Sequence, residues 1–220
     1  KYFIGNWKMF GVPGSIKILL KLNSFVKKHK FKKNYKIIIT PPYTLIDKFV
    51  YKMENSQIHI GAQNCFYKDN FSSDTGAISA YMIKNLRAKY IIIGHSDNRA
   101  EGDDNYILKQ KVTHALRNNL KVIFCIGENK RQKQNKQTLN VLNSQLKNVL
   151  SQKIKQKNLI IAYEPIWSIG TGVIPSSKEL EIITKNLKKI LRKLFKSKEI
   201  PPIIYGGSVE GKNIKSFRTL

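Results

Sequence analysis

Seven short, mostly β-branched runs recur along the chain: Tyr2–Ile4, Lys36–Thr40, Ile58–Ala62, Tyr90–Gly94, Lys121–Gly127, Leu159–Glu164 and Ile203–Gly206. Helix-like patterns separate them. In the clearest, Leu180, Ile183, Leu187, Ile190, Leu191 and Leu194 repeat at the spacing of a one-faced helix, with Ser176 and Glu179 at capping-box separation before it. Strands alternating with helices imply parallel β-α-β units, and strands that are almost wholly apolar imply a sheet covered on both faces. Two architectures satisfy this: an open doubly wound sheet or a closed (β/α)8 barrel. Both put their chemistry at the C-terminal ends of the strands.

The chain has 220 residues, a length that barrel-type domains commonly fill as one domain, and no linker or low-complexity segment divides it. A single domain over residues 1–220 is expected. No apolar run nears the ~18 residues of a membrane span, and no signal-peptide pattern precedes Tyr2. Cys65 and Cys125 lie far apart and form no metal or disulfide motif. A cytoplasmic protein without membrane partners is expected. The formal charge of +26 raises nucleic acid as a partner. Lysine far outnumbers arginine, though, and Lys21, Lys27, Lys28, Lys185, Lys188 and Lys189 are scattered over helix faces among Asn and Ile, the residues of A/T-rich codons. Solvated surfaces explain the charge, and no nucleic-acid partner is expected.

The strand ends are rich in chemistry. Gly5-Asn6-Trp7-Lys8-Met9 follows the first run, Gly94-His95-Ser96-Asp97 the fourth, Ala162-Tyr163-Glu164-Pro165-Ile166-Trp167 the sixth, and Tyr205-Gly206-Gly207-Ser208 the seventh. In a parallel sheet a carboxylate, an imidazole, an ammonium, an amide and two glycine-rich loops share one rim. Such a set supplies an acid/base pair, an electrostatic stabiliser and an anion cradle.

With Gly61-Ala62-Gln63-Asn64 and Cys125-Ile126-Gly127-Glu128 added, these motifs, in this order and spacing, resemble the triosephosphate isomerase family over essentially the whole chain. The resemblance implies a (β/α)8 TIM barrel that isomerises dihydroxyacetone phosphate and D-glyceraldehyde 3-phosphate without cofactor or metal. It makes Glu164 the general base and His95 a neutral electrophile, a pairing for which this family is itself the standard illustration of tuned acidity. The imidazole would stand before a helical turn whose positive end disfavours a further proton. Lys8 and Asn6 would stabilise the developing enediolate. Pro165, Ile166 and Trp167 would form one hinge of a lid and Val173-Ile174-Pro175 the other, with Ser168, Ile169, Gly170, Thr171 and Gly172 as its tip. Gly170 and Ser208 would contact the substrate phosphate. Trp167 could equally be core filler. The long segment from Gly61 to Ile78 would be the arm, with Thr75 and Gly76 near its tip, that docks into a second subunit, so a homodimer is expected.

The chain also departs from the family. Asp97-Asn98-Arg99 stands where Glu-Arg-Arg is usual, and Asp103 where a glutamate is usual. Asp97, counted among the catalytic residues, is one methylene shorter, and a displacement of ~1 Å can cost ~10²-fold in rate. In the family the first of those arginines resembles a structural partner of the later glutamate, so Asn98 and Asp103 look like a coupled change, with consequences for stability or dimerisation. Leu220 falls inside the expected seventh helix, so the eighth strand and helix are missing from this sequence, with two sheet edges open and the anion site weakened. Catalytic impairment is therefore one alternative. A second is RNA or nucleotide binding on the same scaffold, since Gly206-x-x-x-x-Gly211-Lys212 copies most of a phosphate loop, with Asn213 in place of the magnesium-binding hydroxyl.

Overall fold

The computed structural model describes residues 1–29, 35–211 and 213–217. Its seven strands follow one another in the sheet in chain order. Two compact units emerge, residues 1–93 with 113–122 and residues 94–112 with 123–220.

The first unit contains strands β1 (Tyr2–Asn6), β2 (Lys36–Thr40), β3 (Ile58–Ala62) and β4 (Tyr90–Ile93), with helices α1 (Ile16–Lys28), α2 (Tyr43–Lys52) and α3 (Ala80–Asn85) between them. The pairings are parallel and in continuous register: Tyr2 opposes Lys36, Ile38 opposes His59, and Gly61 opposes Tyr90. Leu45, Ile46 and Phe49 of α2 are buried with Ile38, Ile58 and Ile60, which is where this unit's apolar core lies. The arm between β3 and α3 is closed by Phe66 N–H donating to Ile78 O and braced by Lys68 against Asp74. Thr75 and Gly76 are exposed at its turn, where Gly76 takes a φ of +79° that favours glycine. Asn118 Nδ2 donates to Asp69 Oδ1 at 3.0 Å, which ties the arm to the chain beyond Arg117.

The second unit is built from α4 (Ser96–Ala100), α5 (Asn105–Arg117, whose end belongs to the first unit), β5 (Lys121–Ile126, most of it here), α6 (Lys130–Gln134), α7 (Thr138–Val149), β6 (Leu159–Tyr163), α8 (Ser177–Phe195) and β7 (Ile203–Tyr205). Every residue of β6 is buried, and β6 pairs in parallel with β7. The capping box read from the sequence starts α8: Ser176 Oγ accepts from Glu179 N–H, and Glu179 accepts from Ser176 N–H. Leu180, Leu187 and Leu191 are buried beneath it, whereas Ile183, Ile190 and Leu194 lie half-buried at the edges of the same stripe.

The strand limits correct the sequence reading at both ends. β1 continues two residues past Ile4 to Asn6, held by its ladder with β2. Gly94, Gly127, Glu164 and Gly206 fall just beyond their strands. Gly94 leaves the extended region with a φ of +78°, and Gly127 is where two backbones meet: a Cβ there would collide with the carbonyl of Glu164. A Gly127→Ala variant should therefore be destabilised by about 1–3 kcal/mol through overpacking. Because the atom displaced belongs to Glu164, turnover should fall with stability; urea unfolding alongside a rate assay reads both.

Candidate active site

The buried strand β6 ends on a carboxylate with two partners. Glu164 is 5% exposed; its Oε1 lies 2.8 Å from His95 Nε2, and its Oε2 accepts from Ser96 N–H at 3.3 Å. His95, at the N-cap of α4, uses its other nitrogen as an acceptor, taking Asp97 N–H at 3.1 Å. An Nδ1 that accepts a hydrogen bond carries no proton, so the proton sits on Nε2 and is donated to Glu164. The Asp97 carboxylate, 3.5 Å from Nδ1 and 58% exposed, would favour a proton there. The backbone N–H is closer and is fixed by the helix turn, so it decides the tautomer. His95 is thus a neutral imidazole whose one N–H faces the carboxylate.

Cys125 lies beside Glu164, and burial, then that carboxylate, push its thiol well above the usual range. It packs as a neutral thiol and has no nucleophilic character. Arg99 braces the backbone under His95, with Nε donating to Gly94 O at 2.7 Å and Nη2 to Cys125 O at 3.0 Å. Burial lowers its pKa from the ordinary guanidinium range, yet a group of this basicity stays protonated.

Behind Glu164 is a second carboxylate, to which the sequence pattern assigns no role. Glu128, 1% exposed, accepts from Tyr163 Oη at 3.1 Å and from Trp167 Nε1 at 2.8 Å. Burial, then the Glu128 charge, raise the Tyr163 hydroxyl far above its usual range, so it stays a donor. The Lys133 ammonium sits 3.4 Å from the Trp167 ring centroid and 3.3 Å from Glu179. Glu128 thus holds the edge of the half-buried Trp167 ring and the Lys133 ammonium covers its face.

Of the residues expected to form the tip of a lid, Ser168 is fully buried. Its hydroxyl donates to Val173 O, joining the two segments expected as hinges, and lies 3.0 Å from Tyr205 Oη, while its carbonyl accepts from Ser208 Oγ at 2.6 Å. The short helical turn Ile166–Ser168 swings the side chain inward, which no sequence pattern announces. Gly170, Thr171 and Gly172 remain exposed, with both glycines at φ near +70°.

Asn6 and Lys8 belong to the first unit. Lys8 has a φ of 50°, rare for a side-chain-bearing residue. Two groups impose it: Asn6 Oδ1 accepts Lys8 N–H at 3.0 Å, and Gln63 Nε2 donates to Lys8 O and Thr40 O, both at 2.8 Å. Gln63 is visible in the sequence as part of a motif, but its clamp joins residues far apart in the chain.

Asp103 pairs with Lys111 from α5, whose Nζ lies 2.7 Å from both carboxylate oxygens, the pair being 6% and 12% exposed. In the phosphate-loop motif, Asn213 Oδ1 accepts from Glu210 N–H and its Nδ2 donates to Ser208 O. Lys212 of that motif, and Leu220, lie outside the described residues.

A carboxylate base against a neutral imidazole donor, at the ends of strands in an α/β sheet of sequential parallel units, defines a proton-transfer enzyme of the barrel class. Known proteins narrow the class. The family model described as triosephosphate isomerase matches residues 1–219. Triosephosphate isomerase from Thermodesulfovibrio yellowstonii is 35% identical over all of this chain and 89% of its own length, and that from Flavobacterium psychrophilum is 37% identical over 99% and 88%. The crystal structure of triosephosphate isomerase from Bartonella henselae superposes with a TM-score of 0.88 at 28% identity, covering 99% of this chain and 87% of that one. The chain belongs to the triosephosphate isomerase family, and its fold is the TIM barrel with seven strands among the described residues.

Proposed function

We propose that this enzyme interconverts dihydroxyacetone phosphate and D-glyceraldehyde 3-phosphate through an enediolate, the isomerisation for which the relatives above are named. The observation that carries the reading is the 2.8 Å pair of Glu164 and His95, a buried base already facing an N–H donor. Glu164 removes the proton from the carbon beside the carbonyl and returns it to the neighbouring carbon. His95 turns its Nε2–H to the substrate oxygens, which gain negative charge as the proton leaves. Lys8 supplies positive charge to the same oxygens, Asn6 holds the backbone that presents Lys8, and Asp97 holds His95 through its N–H. Gly170 and Ser208 are the phosphate contacts of this reading, which needs Ser208 Oγ to exchange its bond to Ser168 O for the ligand. No cofactor or metal enters the scheme.

The lid from Pro165 to Pro175 would close over the substrate and shed water, which strengthens the field on the enediolate and prevents loss of phosphate. Deleting residues 169–172 should leave proton abstraction measurable by exchange into substrate while methylglyoxal accumulates beside product. Unchanged product purity would sink the lid's role. We also read residues 1–220 as one domain that pairs as a homodimer through the arm at Thr75 and Gly76 and works in the cytoplasm, in glycolysis and gluconeogenesis. Sedimentation at micromolar concentration tests the dimer. Among the described residues no helix is long and apolar enough to cross a membrane.

A further inference from the structure

Three contacts around the segment read as a lid come from one short stretch of chain. Glu128 takes the Trp167 indole N–H at 2.8 Å, Glu128 O accepts from Ile166 N–H at 3.0 Å, and Lys133 of α6 lays its ammonium 3.4 Å from the indole centroid. The stretch is stiff. Asn129 Oδ1 accepts from Gln132 N–H and Gln132 Oε1 from Asn129 N–H, both at 2.9 Å, a capping box that fixes where the next residue, Lys133, is presented. Elsewhere in the described residues Lys36, Lys52 and Arg99 stand 5.9, 5.6 and 5.6 Å from their rings, so Lys133 is in direct contact where those are not.

The same ammonium lies 3.3 Å from Glu179 Oε1. Glu179 belongs to the capping box of α8, and its Oε2 accepts from Ser176 N–H at 2.8 Å and from Ser176 Oγ at 2.9 Å. The Ser176 N–H first, and Lys133 after it, hold this carboxyl below the usual carboxylate range, so it is an anion at neutral pH. Ser176 directly follows Pro175. One ammonium therefore touches Trp167 near the start of the lid segment and the carboxylate that caps the helix at its end, all within the second unit. Neither partner needs it for its own place, since Glu128 holds the ring edge and Ser176 holds Glu179. What the ammonium adds is a link between the two ends, while Gly170, Thr171 and Gly172 between them stay exposed.

We propose that Lys133 is a positioning residue of the isomerase, which ties Trp167 to the start of α8 so that the lid tip closes from fixed ends. The proposal rests on the lid reading above. A loop with fixed ends has less conformational freedom to lose on closing, so closure over bound substrate is more favourable. Without the ammonium the balance moves towards the open lid, and apparent substrate affinity falls by the same factor. The closed complex, once formed, carries the same base and the same imidazole, so its chemistry is unchanged.

The test is steady-state kinetics of the full-length enzyme and its Lys133→Met, Lys133→Arg and Glu179→Gln variants, with methylglyoxal measured in each reaction and urea unfolding run beside it. Methionine keeps the apolar stem and drops the charge. Glutamine keeps the capping box and drops the ion pair. Lys133→Met should raise KM about three- to tenfold, the weight of one cation–ring contact, with kcat within about twofold and a larger share of methylglyoxal. Lys133→Arg, whose guanidinium stacks on a ring and pairs with a carboxylate, should restore all three. Glu179→Gln should raise KM by less and add nothing to Lys133→Met, as two members of one contact require. An unchanged KM and product share in Lys133→Met, whatever its stability in urea, would overturn the proposal. So would a loss that Lys133→Arg does not repair, or a fall in kcat at constant KM. Deletion of residues 169–172 tests the lid separately: unchanged product purity there removes the lid reading and this proposal with it. Methylglyoxal from the deletion but no more than wild type from Lys133→Met removes only the role of Lys133.

Discussion

Glu164→Gln should lower kcat by roughly 10²–10⁴-fold, the range for loss of a positioned general base, with KM nearly unchanged. The amide is almost isosteric, and its one oxygen can still accept from His95 Nε2–H, while its NH2 group cannot accept from Ser96 N–H, so one of the two bonds that fix the carboxylate is lost. What it lacks is the ability to take a proton from carbon. Exchange of solvent deuterium into the substrate should fall in parallel with turnover, because both pass through the same abstraction. Glu164→Asp retracts the carboxylate by about one methylene, and a misplacement of ~1 Å costs ~10²-fold. If Glu164→Gln keeps more than a tenth of wild-type turnover, another group is the base. The isomerase reading would survive that result, but the assignment of the 2.8 Å pair would not.

Lys111→Met should be the most damaging change to stability outside the apolar core. Lys111 and Asp103 form a two-pronged bond with both side chains nearly excluded from water. Removing one partner of a buried pair strands the other charge, at a cost of about 3–5 kcal/mol. For a chain of this size that lowers the melting temperature by roughly 10 °C. The double variant Lys111→Met with Asp103→Leu removes both charges and should recover most of the loss, since apolar replacement of a buried pair is often neutral or better. A loss below about 1 kcal/mol in the single variant would mean that water reaches the pair. The same comparison made by sedimentation separates folding from dimer formation, the two consequences expected of the Asn98 and Asp103 substitutions.

Periodicity alone is enough to place all seven strands, because apolar runs covered on both faces cannot be mistaken for surface, and the capping box of α8 is legible because its partners are three residues apart. The residues at strand ends are legible for a related reason: a charge directly after a buried run has no packing purpose. Strand limits are legible only to within one or two residues, since Gly94 and Gly127 end their strands through backbone φ and a close carbonyl, neither of which a composition pattern records.

Long-range partners are decided by the tertiary structure. In sequence, Asn98 and Asp103 read as a coupled change; in the fold, α5 brings Lys111 back across eight residues to pair with Asp103. Ser168 and Trp167 read as lid or filler, and the turn at Ile166–Ser168 makes one an internal tie between the segments expected as hinges and the other a ligand of the buried Glu128. The tautomer of His95 rests on one hydrogen bond, Asp97 N–H to Nδ1, whose direction only the three-dimensional structure reveals. The sequence by itself determined which elements form and which residues stand at their ends, because burial and periodicity are local properties. Which of those residues share a proton, a charge or a strained backbone was left to the tertiary fold, because each such interaction needs two groups brought within about 3 Å from distant parts of the chain.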